Sequence, residues 1–502
     1  LIYPPIFEIE SPFIEEDLEE LHYAQANDVM IFALDRDKPW RLTRYGPYDW
    51  RFEQPTLTGA PWEDPEYSPL NGYPRTVAFV QERLYFGGTI EKPQTLWGSR
   101  SADFYDFDVP DTGGEGGETP LAPDDPVEYT IAAYTHEAIE WLSSERVLII
   151  GTSATEHRLA PDQYIATDRL PTVSRMSAYG GAHVQPAYMG NLTVFVQTAG
   201  NQVRTFEQSS QSIIEKWDSI ELDWMASHLT SPKVKQVGYA LNPNSVLFMV
   251  ALDGKLLTMT YEPHMGEGQQ VGWARQETEG LFKSACVIPD FDNDVIWTIV
   301  ERTLEVEPDP ADPNPQATET HYRYVEFFDP DVYTDATLTY PPVDDPIEYP
   351  PLQLVGGLNH LEGKTVTIKV DGSTHPDLVV RDGKVELNDE YQNIQIGLRY
   401  TPRILLQKKS AIGEPAQLQG QQGRWVDVFL RVVESANPLV DGTRTQERHP
   451  DTPMGIPEAL VTDDVRVFNL GFDRKKQLLI EQDLPLPLHI TAIFGVFESH
   501  VG

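Results

Sequence analysis

A mainly β chain is the fold class that the sequence predicts: a propeller-like body of short antiparallel strands with a small additional β-domain. Three observations predict it. Proline makes up 41 of 502 residues, about 8% against a usual ~5%, and it sits between short apolar runs, so long helices have little room. The runs are rich in β-branched or aromatic residues and are bounded by Gly, Pro, Asn or Asp, as short antiparallel strands are. They also recur as a unit of strand, polar turn, second strand and aromatic-bearing third strand. About six such units of roughly 40 to 50 residues fit between residues 26 and 330, which is the spacing of propeller blades. A β-sandwich pair is the alternative topology with the same strand grammar.

Taken in order, the chain offers two short helical candidates, Glu15 to Gln25 and Asp223 to Leu229. Strands are expected at Asp28 to Phe32, Trp40 to Arg44, Trp50 to Phe52, Thr76 to Val80, Arg83 to Phe86 and Thr95 to Trp97. Further runs are Val147 to Ile150, Leu192 to Val196, Val203 to Phe206, Val234 to Tyr239, Val246 to Ala251, Leu256 to Tyr261 and Val295 to Val300, with four more near the end at Trp425 to Val433, Val465 to Leu470, Leu478 to Glu481 and Ile490 to Phe497. Two segments interrupt the rhythm: 109–128, with paired glycines, acids and prolines, and 305–319, which is Pro- and acid-rich with no apolar face. Both read as long exposed acidic loops. Asp108, Asp111, Glu115, Glu118, Asp124 and Asp125 are the candidate residues of an acidic rim or lumen loop.

The expected organisation is a body over 1–330, a Pro/Tyr/Asp-rich linker at 331–351, a five-stranded β-domain at 352–402, and strands over 403–502 that pack back on the body. In the small domain Asp371-Gly372 and Asp382-Gly383 read as hairpin turns, because these residues tolerate positive φ. A chain of this length exceeds what one hydrophobic core supports. With 40% hydrophobic and 10% aromatic residues it can bury several.

The formal charge is 38 − 78 = −40, spread along the whole length. That excludes wrapping nucleic acid by phosphate neutralisation, which needs Lys and Arg to displace counterions. Solubility alone accounts for such a charge; so does a wall along which DNA must slide without sticking. Cys286 is the single cysteine, which excludes an intrachain disulfide and a zinc site built on cysteine pairs. No run of 18 apolar residues is present, and the first residues carry no basic region followed by an apolar stretch.

Catalytic and metal spacings fail in turn. Asp290-Phe-Asp-Asn-Asp294 with Glu301 has carboxylate spacing like that of a calcium loop, yet Val295 stands where the sharp turn needs Gly. A hairpin turn is the expectation there. His136-Glu137 lacks the second His of a zincin. There is no Gly-x-Ser-x-Gly elbow, no Walker loop and no Ser-x-Asp-x-Gly-x-Thr-Trp box. His228, His360 and His375 read as turn or packing residues, and Lys408-Lys409 and Arg474-Lys-Lys476 as solvated or interface charges. No catalytic residue, cofactor or metal is expected.

A series of phrases runs in order along the chain: Tyr23-Ala-Gln-Ala-Asn-Asp28, Arg83-Leu-Tyr-Phe-Gly-Gly88, Pro93-Gln-Thr-Leu-Trp97 and Ser177-Ala-Tyr-Gly180 with Pro186. The order continues through His228-Leu229, Asp253-Gly254, Trp273, Thr278 with Gly280, Glu301-Arg302, Tyr324-Val-Glu326 and His360-Leu-Glu-Gly363. This order resembles tail-tube and nozzle proteins of short-tailed bacteriophages. The resemblance implies a structural virion protein, a hexameric ring that seals the head–tail channel and conducts DNA during ejection. Its implied partners are the adaptor (head–tail connector) ring, tail fibres or spikes, and passing double-stranded DNA bound without sequence specificity. The implied location is the virion tail, after assembly in the host cytoplasm. A host-receptor-binding adhesin and a glycan-degrading tail hydrolase are the alternatives.

Overall fold

The computed structural model describes residues 8–110, 122, 124–132, 136–144, 147–159, 173–190, 192–209, 216–262, 270–290, 293–306, 318–342, 349–407, 423–436, 438–445, 457, 459–467 and 477–499. The chain divides into two compact units, Leu1–Glu277 with Leu281–Val300, and Thr278–Gly280 with Glu301–Gly502.

The first unit is a series of antiparallel meanders, each made of strands adjacent in sequence. The first sheet holds β1 (His22–Ala26), β2 (Val29–Leu34), β3 (Asp37–Gly46) and β4 (Asp49–Glu53). The second holds β5 (Thr76–Val80), β6 (Arg83–Gly87), β7 (Thr95–Gly98) and β8 (Val127–Thr130). The third holds β9 (Ile139–Ser144), β10 (Leu148–Thr152), β11 (Glu156–Leu159) and β12 (Val173–Ser177). The fourth holds β13 (Ala187–Met189), β14 (Leu192–Val196), β15 (Val203–Ser209) and β16 (Lys216–Asp218). After the one-turn helix α1 (Ser227–Thr230), the fifth holds β17 (Val234–Ala240), β18 (Val246–Ala251), β19 (Leu256–Glu262) and β20 (Gln270–Gln276). A hairpin of β21 (Leu281–Asp290) and β22 (Asn293–Val306) ends the unit at Val300.

The apolar cores lie between consecutive sheets. Ile31 and Ala33 of the first sheet meet Val77, Leu84, Phe86 and Trp97 of the second around Trp62. Ala78, Tyr85 and Leu96 meet Ile139, Leu142, Leu148 and Ile150. Trp141 and Ile149 meet Phe195, Phe206 and Trp217. Val194 and Val203 meet Leu247, Met249, Leu257 and Met259, and Phe248, Val250 and Leu256 meet Phe282 and Val300. Four-stranded sheets packed face to face in chain order make this body propeller-like. Both faces of the inner strands are buried, which is why β6 and β10 read as apolar runs without alternation. Trp62 stacks edge-on against Trp97 (5.4 Å, 87°) and Phe86 (5.5 Å, 83°); such pairs add about 0.5–1.5 kcal/mol each beyond area burial.

Two sequence expectations are corrected. Glu15 to Gln25 is not a helix: Glu15–Asp17 forms one 3-10 turn and His22–Ala26 is β1. Of Asp223 to Leu229 only α1 is helical, with Asp223 buried ahead of it.

In the second unit the far end of β22 pairs with β23 (Thr318–Phe327). β24 (Asp335–Tyr340) lies inside the segment read as a linker, where the alternation of Thr337, Leu338, Thr339 and Tyr340 supplies a strand that pairs with β29. It joins β25 (Leu352–Gly356), β26 (Thr365–Val370), β27 (Ser373–Val379), β28 (Lys384–Tyr391) and β29 (Ile394–Leu398) around one core of Val355, Leu361, Val366, Ile368, Val385 and Ile396. Asp382 and Gly383 both have positive φ, +52° and +65°, as a two-residue hairpin turn needs. Next come β30 (Arg403–Leu405), β31 (Gly423–Ser435), β32 (Leu439–Val440), β33 (Thr443–Arg444), β34 (Val461–Val467), β35 (Leu479–Glu481) and β36 (His489–Ser499). They form sheets ordered β30-β35-β32-β33 and β34-β31-β36 and bury a core of their own, with Trp425, Val428, Leu430, Val440 and Ile480.

Candidate functional site

The first strands of successive sheets run beside one another, β1 with β5, β5 with β9, β13 with β17 and β17 with β21. Polar side chains of the first unit gather there. His22 opens β1 and is buried; its ring stacks on His183 with centroids 4.2 Å apart and planes 5° apart. Its Nδ1 lies 3.1 Å from the Thr76 hydroxyl, which also accepts the Leu142 N–H at 3.2 Å. One threonine at the head of β5 thus ties β1 to β9.

His183 places Nδ1 2.9 Å from the Glu140 carbonyl and Nε2 3.0 Å from the Glu20 carbonyl. The Glu140 carboxylate receives Arg75 at 3.1 Å, and Arg36 spans Asp17 (3.1 Å) and Glu20 (3.4 Å). Gln185 bonds both backbone groups of Tyr23, accepting its N–H and donating to its carbonyl, each at 3.0 Å. Lys235 of β17 reaches Glu19 at 3.2 Å. The Gln236 side-chain Oε1 accepts the Ser284 hydroxyl at 2.9 Å and the Ala285 N–H at 3.0 Å. These side chains therefore cross-link the first strands of the sheets and the segments beside them.

Burial pushes the His22 imidazole well below its ordinary value of 6.5, and His183 and Arg75 push the same way. Burial also lowers His157, with Arg175 assisting and Glu137 opposing. For both, the unfolded chain takes up a proton near pH 6.5 before the folded chain does, so folding stability is complete above that pH and falls as pH drops below it. The slope is at most about 1.4 kcal/mol per pH unit per histidine. Glu156 acts oppositely: burial raises it, against lowering by Ser177 and the Tyr179 N–H, so its contribution improves as pH falls towards the carboxylate range. Urea midpoints are therefore expected to fall between pH 7.5 and 5.5, with a shallower slope in His22→Gln. An unchanged slope in that variant would remove His22 from the account.

A second buried group contains hydroxyls, an imidazole and a carboxylate, the components of a nucleophile–base pair. Thr152 donates to Glu137 at 2.8 Å, Thr155 also bonds Glu137, and the Thr155 hydroxyl stands 2.8 Å from His157 Nε2. A nucleophile must give its proton to the base, but the Thr155 hydroxyl has a carboxylate competing for that single proton. All four side chains are nearly or fully buried. The four fasten the β10–β11 turn.

The acidic residues singled out from sequence separate. Asp108 and Asp124 are exposed, whereas Asp125, expected on an exposed acidic loop, is buried and accepts Arg100 at 2.9 Å and the Ala122 N–H at 2.8 Å. An isolated buried carboxylate is costly, and Arg100 is what permits it. Asp111, Glu115 and Glu118 lie outside the described residues, as does most of 305–319. Of the calcium-like spacing, Asp292 lies outside the described residues, the Asp294 carboxylate accepts the N–H groups of Leu241 and Asn242 at 2.7 and 3.0 Å, and Glu301 pairs with Arg323 at 3.3 Å. Among the described residues no group of three His, Cys, Asp or Glu is placed to hold a metal ion, and no helix is long and apolar enough to cross a membrane. The residues at the inner strands were missed from sequence. The partners of His22, Arg75 and Tyr23 are distant in the chain and form no local pattern.

No known family model matches the chain, and no curated protein does. Solved structures with similar form include the WD40 β-propeller domain of Doa1 (12% identity, TM-score 0.31, covering 56% of this chain and 78% of that one). Two others are a putative 6-phosphogluconolactonase from Bacteroides uniformis (10%, TM-score 0.35, 61% and 88%) and the periplasmic gluconolactonase PpgL of Pseudomonas aeruginosa (13%, TM-score 0.34, 61% and 88%). At these identities and scores the likeness carries no functional argument.

Proposed function

We propose that this chain is a structural virion protein, one subunit of a hexameric tail-tube or nozzle ring of a short-tailed bacteriophage. In this reading it seals the head–tail channel, conducts DNA during ejection, and is not an enzyme. The observation that carries the proposal is the order of the phrases from Tyr23-Ala-Gln-Ala-Asn-Asp28 to His360-Leu-Glu-Gly363. The propeller-like first unit supports it as a structural body, its first strands cross-linked by the His22–His183 stack, the Gln185 clamp on Tyr23 and the Arg75–Glu140 pair. Six copies would carry 6 × −40 = −240, a field that keeps phosphate from adhering. The adaptor ring on one side and fibres or spikes on the other are the expected neighbours in the virion tail.

Native mass spectrometry and electron microscopy of the purified full chain are expected to show a six-fold ring with an axial channel. A monomer, or a trimer without a channel, would overturn the proposal. Incubation with host surface polysaccharide is expected to release no reducing ends.

A further inference from the structure

His183 stands between β12 and β13 and joins the backbones of two distant segments. Its Nδ1 lies 2.9 Å from the Glu140 carbonyl of β9, and its Nε2 lies 3.0 Å from the Glu20 carbonyl ahead of β1. A carbonyl oxygen only accepts, so each contact needs an N–H on the ring. Neutral imidazole carries one N–H and the imidazolium carries two. Both contacts are therefore hydrogen bonds only when the ring is protonated. A neutral ring sets its lone pair against a carbonyl lone pair at one of them.

The groups around the ring divide its two nitrogens. From β9 the Glu140 carboxylate lies 3.5 Å from Nδ1 and favours the cation. From β5 Arg75 opposes it, but Arg75 is paired with Glu140 at 3.1 Å and stands 3.9 Å from Asp35. From β1 the His22 ring stacks on His183, and burial, His183 and Arg75 all hold His22 neutral. The stacked pair thus has room for one extra proton, and His183 is the member with two acceptors. Its Nδ1 faces a carbonyl and a carboxylate of one core strand, whereas Nε2 faces a single carbonyl on an exposed residue. Nε2 is the nitrogen that gives up its proton to water.

Residues 15–21 are mostly exposed, and side chains fasten them to the unit. Arg36 donates to the Glu16 carbonyl at 3.1 Å and pairs with Asp17 and Glu20. Lys235 of β17 pairs with Glu19 at 3.2 Å. These exposed ion pairs are each worth about 0–1 kcal/mol, so the bond from His183 is the strongest single fastening at the end next to β1.

We propose that His183 is a proton-operated clamp: with both ring nitrogens protonated it holds the Glu20 carbonyl, and with it residues 15–21, to β9, and on losing the Nε2 proton it lets that segment loosen. The segment thereby responds to pH in the opposite sense to the body. Acid weakens the body through His22 and His157 and tightens the clamp.

Hydrogen exchange of the full chain, corrected for the intrinsic pH dependence of amide exchange, tests this at about pH 5 and about pH 8.5, on either side of the imidazole range. The Leu18 and Glu20 amides close turns within the segment, and the Tyr23 amide bonds Gln185. In wild type their exchange is expected to be about 10-fold faster at the higher pH, the factor that a hydrogen bond from a charged donor supports. His183→Gln, which cannot carry the second proton, is expected to exchange fast at both values, and His22→Gln to keep the wild-type response. Equal exchange at both values in wild type overturns the clamp, as does a response that survives in His183→Gln or is lost in His22→Gln. Neutron diffraction from wild-type crystals at about pH 5 reads the protons without any variant. It is expected to place deuterium on both nitrogens of His183 and on one of His22. A singly deuterated His183 overturns the clamp even where the exchange data agree with it. Both readouts are independent of how many copies assemble, so the ring reading stands or falls separately.

Discussion

Replacing Arg302 by alanine is expected to destabilise the second unit by about 3 kcal/mol. The Arg302 side chain is 3% exposed. Its Nε and Nη2 donate to Glu326 at 2.8 Å each, Nη1 and Nη2 approach Asp335 at 3.4 and 3.3 Å, and Nη1 donates to the Glu279 carbonyl at 3.0 Å. Burial by itself would lower the guanidinium pKa, but the Glu326 and Asp335 carboxylates more than offset it and hold it above its ordinary value. Removing one member of a buried ion pair costs about 3–5 kcal/mol, because the remaining charge is left uncompensated. Here Glu326 and Asp335 are 24% and 19% exposed, so water relieves part of the penalty and the low end applies.

Lysine restores charge but not the planar fork that serves three acceptors, so Arg302→Lys is expected to recover less than half of the loss. Arg302→Met, with Glu326 also changed to Gln, leaves fewer orphaned charges and is expected to be milder than Arg302→Ala alone. Hydrogen exchange of β23 and β24 amides, with calorimetry of the full chain, reads the effect. A change below about 1 kcal/mol would mean that the cluster is a surface pair in energetic terms.

How much of this was legible depends on whether the determining contacts were local. β5 was read with its observed bounds, Thr76 to Val80, because five apolar or β-branched residues between Pro74 and Gln81-Glu82 leave no competing conformation. The Asp-Gly turns were legible for the same reason. β1 was not, since Glu15 to Gln25 is composed of good helix formers. What decides is pairing: β1 lies against β2 from His22–Ala33 to Ala26–Val29 across a tight turn with Asn27 at φ +54°, and the Gln185 side chain bonds the Tyr23 backbone on its other edge. β24 was hidden by its proline-rich flanks, although its own residues alternate as a strand should. Asp125 misled because its sequence neighbours are acids and prolines, while its partner Arg100 stands across the excursion between β7 and β8. The sixth repeating unit, expected from strand spacing, leaves only the β21–β22 hairpin to the first unit, since the division between units falls within β22.

Trp141→Ala is expected to produce the largest loss in the first unit, about 3–5 kcal/mol. Trp141 of β9 is fully buried, 5.3 Å from the Phe195 ring, in the core between the third and fourth sheets. Two glycines shape its seat: a Cβ on Gly151 would lie 2.0 Å from Trp141 Cε2, and one on Gly181 would lie 2.1 Å from Nε1. Gly151→Ala and Gly181→Ala are therefore expected to cost about 1–3 kcal/mol each by overpacking. The indole N–H has no hydrogen-bond partner among the described residues, and a buried unsatisfied donor carries its own penalty of about 1–3 kcal/mol. Trp141→Phe gives up contact area but removes that donor, so it is expected to cost much less than Trp141→Ala. The same reasoning makes the residues interdependent: Gly151→Ala is expected to be nearly neutral in a Trp141→Ala background, because the clashing ring is gone. Urea unfolding of wild type, Trp141→Ala, Gly151→Ala and the double variant measures the coupling. An additive result would show that the glycines serve the backbone of their own strands and not the tryptophan that fills the space above them.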